Sequence, residues 1–192
     1  VGVNSGSVEK ELLEKFGGPT PEALVESDPD YKNNIEELKA VMPEFVKRED
    51  IYVTPGAPWV PANVYSDFAA HMLNTSNSEW RKNASVERVE ATGNFVIELN
   101  DYVKRSRNNT QVWAAGGKSF SDLLDAMLNS RTVTVKAKDS EGKVFTDQKA
   151  TAAANEMIEK IKEEFRKWLW EDETRASEME TLYNEIFNSF VP

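Results

Sequence analysis

The sequence predicts an α+β domain, and three observations carry that expectation. Residues 84–102 and 132–146 alternate apolar and polar side chains on either side of glycine-containing turns, the pattern of two antiparallel hairpins. Apolar residues return every three or four positions through residues 149–192, the pattern of two long helices. The stretch TQVWA at 110–114 reads as an extra strand. The expected organisation is an N-terminal helical segment over 1–48, an α+β core over 49–148 and a C-terminal helical pair over 149–192. The core would hold an antiparallel sheet of two hairpins plus the extra strand, flanked by helices.

Taken in order, Ser7 caps a first helix carrying Val8, Leu12, Leu13 and Phe16. Ile35, Leu38, Val41 and Met42 form another apolar stripe, with GGPTPE and SDPDY as breaks between short helices. Ile51, Tyr52 and Val53 read as a short strand ending at Pro55. Pro55, Pro58 and Pro61 then stiffen the chain, and Pro61 suits the first turn of a helix, where its missing N–H costs nothing. Val64, Phe68 and Met72 line one face of that helix. Trp59 is held out from the rigid stretch, either to be buried in the core or to dock on another surface.

The first hairpin turns at Thr92, Gly93 and Asn94. Ser119 caps the next helix with Asp122 three residues on, and Phe120, Leu123, Leu124, Met127 and Leu128 form its apolar face. The second hairpin turns at Ser140, Glu141 and Gly142. Ala154, Ile158, Ile161, Phe165 and Trp168 mark the first terminal helix, and Ala176, Met179, Leu182, Ile186, Phe187 and Phe190 the second. Each is expected to run about twenty residues, with Asp172 or Glu173 placed where a helix start favours negative charge.

Composition narrows the function. The 192 residues carry 23 Lys plus Arg against 33 Asp plus Glu, a formal charge of −10, which opposes non-specific attraction to phosphate backbones and anionic membranes. The chain has no cysteine, so disulfides and thiolate chemistry are excluded, and its single histidine, His71, removes the usual structural zinc sites. No run approaches the roughly 18 apolar residues of a membrane span, and the start lacks the basic and apolar blocks of a signal peptide. A cytoplasmic protein with no membrane partner, no metal and no cofactor is expected.

A search for chemistry finds no phosphate loop, no dinucleotide fingerprint and no nucleophile elbow. In AAGGKSF, Lys118 and Ser119 precede a helix and would either meet an anion there or form a turn and a cap. His71 lies one helical turn after Asp67, a pairing open to general-base chemistry or to ordinary packing. The carboxylates of EKIKEEF and WEDE interleave with lysines, as on a solvated helix face. One basic cluster stands out. Lys104, Arg105 and Arg107, with Lys118 near in sequence and Arg131, Lys136 and Lys138 on the second hairpin, would form a DNA-contacting face beside Trp113 if their strands adjoin. The acidic total weighs against it.

Three stretches carry a resemblance: DIYVTPGAPWVPANVYSDFAAHML, TQVWAAGGKSFSDLLDAMLNSRTVTV and the run from KATAAANEM to the C-terminus. They are similar to the central segment of large phage and mobile-element proteins that fuse an adenine-specific DNA methyltransferase to an SNF2-like DNA helicase. In that family a GAPWIP-like phrase opens a helix, an LL…LN-like phrase precedes a β-hairpin, and an F..W.W.D..R…L…YNE.FN pattern precedes the helicase. Trp59 and Pro61 fall in the first phrase. Phe165, Trp168, Trp170, Asp172, Arg175, Leu182, Tyr183, Asn184, Glu185, Phe187 and Asn188 match the last pattern. The match covers about residues 41–73 and 110–192 and is weak elsewhere.

The resemblance implies a non-catalytic coupling domain whose partners are neighbouring methyltransferase and helicase domains of the same polypeptide, with DNA as a further partner. DNA modification, antirestriction or element defence would be the setting. Neither the methyltransferase's Asn-Pro-Pro-Tyr type motif nor the helicase's ATPase motifs occur in the sequence, so no catalytic residues are expected in it. The alternatives are a DNA-binding or target-recognition module using the basic cluster, and an independent enzyme around Asp67 and His71.

Overall fold

The computed structural model describes residues 45–187, of which Val46–Phe187 form one compact unit. The helices expected around Ser7 and Ile35, and the side chains of Phe187, Asn188 and Phe190, lie outside the described residues. In chain order the elements are α1 (Ala62–Met72), α2 (Asn77–Asn83), β1 (Ala84–Arg88), β2 (Phe95–Leu99), α3 (Asp101–Lys104), α4 (Phe120–Leu128), β3 (Lys136–Lys138), β4 (Val144–Thr146), α5 (Gln148–Glu171) and α6 (Glu173–Leu182). A 3₁₀ turn at Arg48–Asp50 precedes them, and π-helical turns lie at Asn108–Val112 and Tyr183–Phe187. The fold is α+β.

Helix α1 begins one residue later than the proline rule predicts, because Pro61 is extended (φ −63°, ψ 147°) and takes the N-cap position. Its face of Val64, Tyr65, Phe68, Ala69 and Met72 is buried. Helix α5 brings Ala154, Ile158, Ile161, Phe165 and Trp168 to the same core, all on the predicted stripe. The aromatic rings pack edge to face and stacked, with Phe165 5.3 Å from Tyr65 and 5.1 Å from Phe68 between ring centroids. Helix α4 opens on a full capping box, Ser119 and Asp122 each bonding the other's backbone N–H. It has six buried apolar residues and packs on α5 and β2.

Both hairpins form, with the predicted turns. Strands β1 and β2 pair antiparallel from Ala84–Leu99 to Arg88–Phe95, turning the apolar side of the ribbon, Ala84, Val86 and Phe95, inward beneath α1. Strands β3 and β4 pair from Lys136–Thr146 to Lys138–Val144. The Asp139 carboxylate accepts from the Glu141 and Lys143 N–H groups and fixes that turn.

Four expectations need correction. The hairpins make two separate two-stranded sheets. The extra strand at 110–114 is instead the π turn at Asn108–Val112 and its exit. The reason is local: the buried Asn109 side chain donates to Lys104 O at 2.8 Å and accepts from Ser121 N at 3.0 Å, tying the segment to α4 instead of to a strand. Ile51, Tyr52 and Val53 alternate buried, exposed and buried, but belong to no strand. Helix α5 runs 24 residues and α6 only ten, because extended Asp172 breaks the run and the chain leaves α6 through a π turn.

Candidate functional site

Most of the sequence features without an assigned task meet in one place, where the proline-rich stretch lies against the C-terminal helices. At the α5–α6 junction, Asp172 caps α6 by accepting from Arg175 N at 2.8 Å. The Arg175 guanidinium then folds back over the Trp168 ring, 3.7 Å from its centroid. It donates through Nη2 to Trp168 O and through Nε to Leu169 O. Those carbonyls sit in the last turn of α5, where no intrahelical donor is left for them. Partial burial pulls the Arg175 basicity down, while the Asp172, Asp67 and Glu171 carboxylates push it back up. The W.W.D..R pattern is thus a helix-corner device.

The next part of the pattern grips the incoming chain. The Asn184 amide pairs with the Val46 main chain in both directions, Val46 N donating to Oδ1 and Nδ2 donating to Val46 O, each at 2.8 Å. An amide side chain thereby imitates one rung of a β-ladder. Arg48 N donates to Glu180 Oε1 at 2.8 Å, and its guanidinium meets Glu173 at 2.9 Å. Arg166 on α5 donates to Val53 O and to the Tyr52 hydroxyl, with its guanidinium 4.9 Å from the Tyr52 ring centroid. Trp59 is buried, its ring edge-on to Tyr183 at 5.1 Å. Burial, not exposure, is therefore the fate of the proline-held tryptophan.

Between these grips the chain bends at Gly56, which has φ +87° and lies against the C-terminal end of α4. A Cβ there would stand 2.2 Å from Leu128 O, so only glycine fits. The hydroxyl of buried Tyr65 accepts from Gly56 N at 2.8 Å and donates to Ala57 O. Residues 46–60 are thus bound at the turn, the tryptophan and the leading end.

The other predicted sites are not assembled. Arg131 is paired with Asp125 at 2.9 Å, and Lys104 borders a depression shared with Glu98, Asp122 and Asp125. Arg105 lies 3.8 Å from Asp101. Helix α3 packs on β2 and the π turn, whereas β3, with exposed Lys136 and Lys138, packs on β4, so the predicted basic face is split between elements with different partners. Trp113 is half-buried against the core. The start of α4 is occupied by its own Asp122 carboxylate, and Lys118 closes a tight Ala115–Lys118 bridge, so the turn-and-cap reading describes this loop. His71 is exposed near Trp168 and shares an open polar depression with Asp67, Asn74 and Arg175. Among the described residues no cluster of His, Asp and Glu gathers as a metal site, and no helix is long and apolar enough to cross a membrane.

Sequence reasoning missed several supporting residues. Trp80 is buried with its indole N–H on Ser66 Oγ at 2.7 Å. Asn129 pairs with both backbone groups of Phe95, at 2.8 and 3.0 Å, along the edge of β2. Their signal was present in kind: asparagines at helix ends and loop starts seek backbone partners. Which backbone they would find depends on tertiary structure.

The arrangement defines a small α+β unit with an internal clamp. The chain belongs to the family described as "Domain of unknown function (DUF8437)", whose model matches residues 54–189. That span runs from the proline-rich stretch to the Asn184 grip. Curated proteins show short local likenesses to 4-hydroxy-3-methylbut-2-en-1-yl diphosphate synthase (flavodoxin). The example from Natranaerobius thermophilus is 82% identical over 27 residues, covering 14% of this chain and 8% of the synthase. That from Lawsonia intracellularis is 59% identical over 39 residues, 20% of this chain and 11% of the synthase. That from Jannaschia sp. is 45% identical over 62 residues, 30% and 15%. The chain thus spans between 8% and 15% of the length of these relatives. No solved structure matches the chain.

Proposed function

We propose that Val46–Phe187 is a non-catalytic coupling unit of a larger DNA-modifying polypeptide of a phage or mobile element, acting in the bacterial cytoplasm beside methyltransferase and helicase domains. One observation carries the reading: the first residue of the unit, Val46, is hydrogen-bonded both ways to Asn184 near its last. Polypeptide passing into and out of the unit is held at one point, so a rotation imposed on one side is delivered to the other without a flexible step. Trp59 on Tyr183 and the Arg166 bonds stiffen the same joint. The pairing of Arg131 with Asp125, and the split of the basic cluster between elements with different partners, weaken the rival reading of a stand-alone DNA-binding module that uses the whole cluster. The synthase likenesses cover too little of those enzymes to lend this chain their reaction.

The test uses a parent protein carrying both enzymes, with Asn184→Leu and Trp59→Ala combined to open the joint. The expected result is that methyl transfer and ATP hydrolysis each persist when assayed alone, while the dependence of methylation on translocation is lost. Coupling that survives the opened joint, or methyl transfer or ATP hydrolysis by the isolated 192-residue chain, would overturn the reading.

A further inference from the structure

Most large side chains of the unit are spent on its core, which makes the exceptions informative. Tyr102 is 80% exposed, the most exposed large apolar side chain among the described residues. It rides on α3, a single turn held by flanking asparagines and by its own buried Val103. Asn100 caps the turn by accepting from Val103 N at 3.0 Å and ties back to Asn83 at 2.6 Å. Val103 is buried beneath it, and Asn109, itself buried, accepts from Ser121 N while donating to Lys104 O. The backbone is anchored at both ends and in the middle, yet the side chain it displays stands largely in solvent. A turn so fixed presents Tyr102 in one orientation at little entropic cost to a ligand.

The charges beside it select the ligand. Arg105 follows Tyr102 by three residues, adjacent on a helical surface, and Arg107 is exposed two residues further on. The Asp101 carboxylate lies 3.8 Å from Arg105, but both side chains are more than four-fifths exposed. Such a pair is worth little and exchanges readily for a phosphate. Lys104 turns toward the acidic depression and is left out. An exposed aromatic ring flanked by unburied guanidiniums is the minimal kit for single-stranded nucleic acid, a ring for a base face and cations for its backbone. Duplex bases are already stacked on one another and offer no free face.

We propose that Tyr102, with Arg105 and Arg107, is a stacking platform for single-stranded nucleic acid. This goes beyond the coupling role and does not depend on it. The acidic remainder of the surface keeps the strand confined to this spot.

The test is fluorescence anisotropy of a labelled oligothymidylate, and of a duplex of equal length, titrated with the full 192-residue chain at two salt concentrations. The single strand is expected to bind more tightly than the duplex. Tyr102→Ala should weaken it about tenfold or more, and Tyr102→Phe should restore it. Arg105→Gln should lower the salt slope by about 0.7. Tyr52→Ala serves as the control, since Tyr52 is also exposed but is held by Arg166. All four replacements are at exposed positions, and circular dichroism confirms that each variant is folded. Absence of binding by the folded chain, equal loss on Tyr52→Ala, tighter binding to duplex, or a Tyr102→Ala effect only on self-association would each overturn the proposal.

Discussion

Replacing Gly56 by alanine would test the joint at its tightest point. The residue has φ +87°, where an L side chain costs roughly 1–2 kcal/mol, and its Cβ would lie 2.2 Å from Leu128 O. Carbon and carbonyl oxygen normally keep about an ångström more between them, so the backbone of either the bend or α4 must shift. Overpacking of that kind costs about 1–3 kcal/mol, and a shift would also stretch the Tyr65–Gly56 bond, worth about 1 kcal/mol. The sum is about 3–6 kcal/mol. Gly117 separates the two contributions, because it too has positive φ, +73°, but a Cβ there would meet nothing within 4 Å. Gly117→Ala should therefore lose only the conformational part, about 1–2 kcal/mol. Urea unfolding followed by tryptophan fluorescence, with equal slopes for all three proteins, reads both values. Equal losses at Gly56 and Gly117 would refute the close approach to α4 and with it the rigid bend.

Other outcomes follow from the same geometry. Burial pushes the Tyr65 phenol above the usual tyrosine range, so its stabilising contribution is complete below the unfolded value near 10 and falls as pH rises above it. Unfolding curves should lose about 1.4 kcal/mol per pH unit from this group on the alkaline side, and Tyr65→Phe should remove that slope while costing about 1 kcal/mol at neutral pH. Asn184→Leu should destabilise by roughly 1–3 kcal/mol through the two orphaned Val46 groups, and hydrogen exchange should show the Val46 amide losing protection. Arg175→Lys keeps the charge but not the fork that reaches two carbonyls and covers Trp168, so a thermal shift of several degrees is expected from a loss of about 1–2 kcal/mol.

How much of this was legible in the sequence depends on the range of the interaction. Helices α1, α4 and α5 announce themselves through stripes whose buried members, such as Phe68, Leu124 and Ile161, recur at helical spacing. Both hairpins follow from alternation and a glycine at the turn. What misled was TQVWA, whose β-forming residues are overruled by one upstream asparagine reaching Lys104 and Ser121. The joint itself was partly legible, as an ordered set of uncommon residues around Trp168 and Tyr183. Its partners were not, since Val46 and Asn184 stand 138 residues apart and no periodicity links them. The basic cluster was over-read for a related reason: sequence gives the cations but not the acids, such as Asp125, that the fold sets beside them.

The tryptophans sharpen the choice between scaffold and docking surface. Trp59, Trp80 and Trp168 are buried, and Trp113 and Trp170 are half-buried against the same core, so none is left as a free anchor for a partner. Among the described residues, exposed aromatic surface falls instead to Phe45, just before the unit, and to Tyr52, Phe145 and Tyr102 within it. Tyr52 is held by Arg166, and Phe145 lies across from Ala137 on the β3–β4 ribbon. Among the described residues Tyr102 alone combines an exposed ring, a fixed backbone and an exposed guanidinium, that of Arg105, three residues on. On the proposed reading, a unit that buries its strongest anchors in a joint and leaves one supported tyrosine outside would transmit position through its interior and touch a ligand at a small, separate place. Because the two lie on different elements, opening the joint and removing the tyrosine should act independently, with stability and coupling following Asn184 and strand binding following Tyr102.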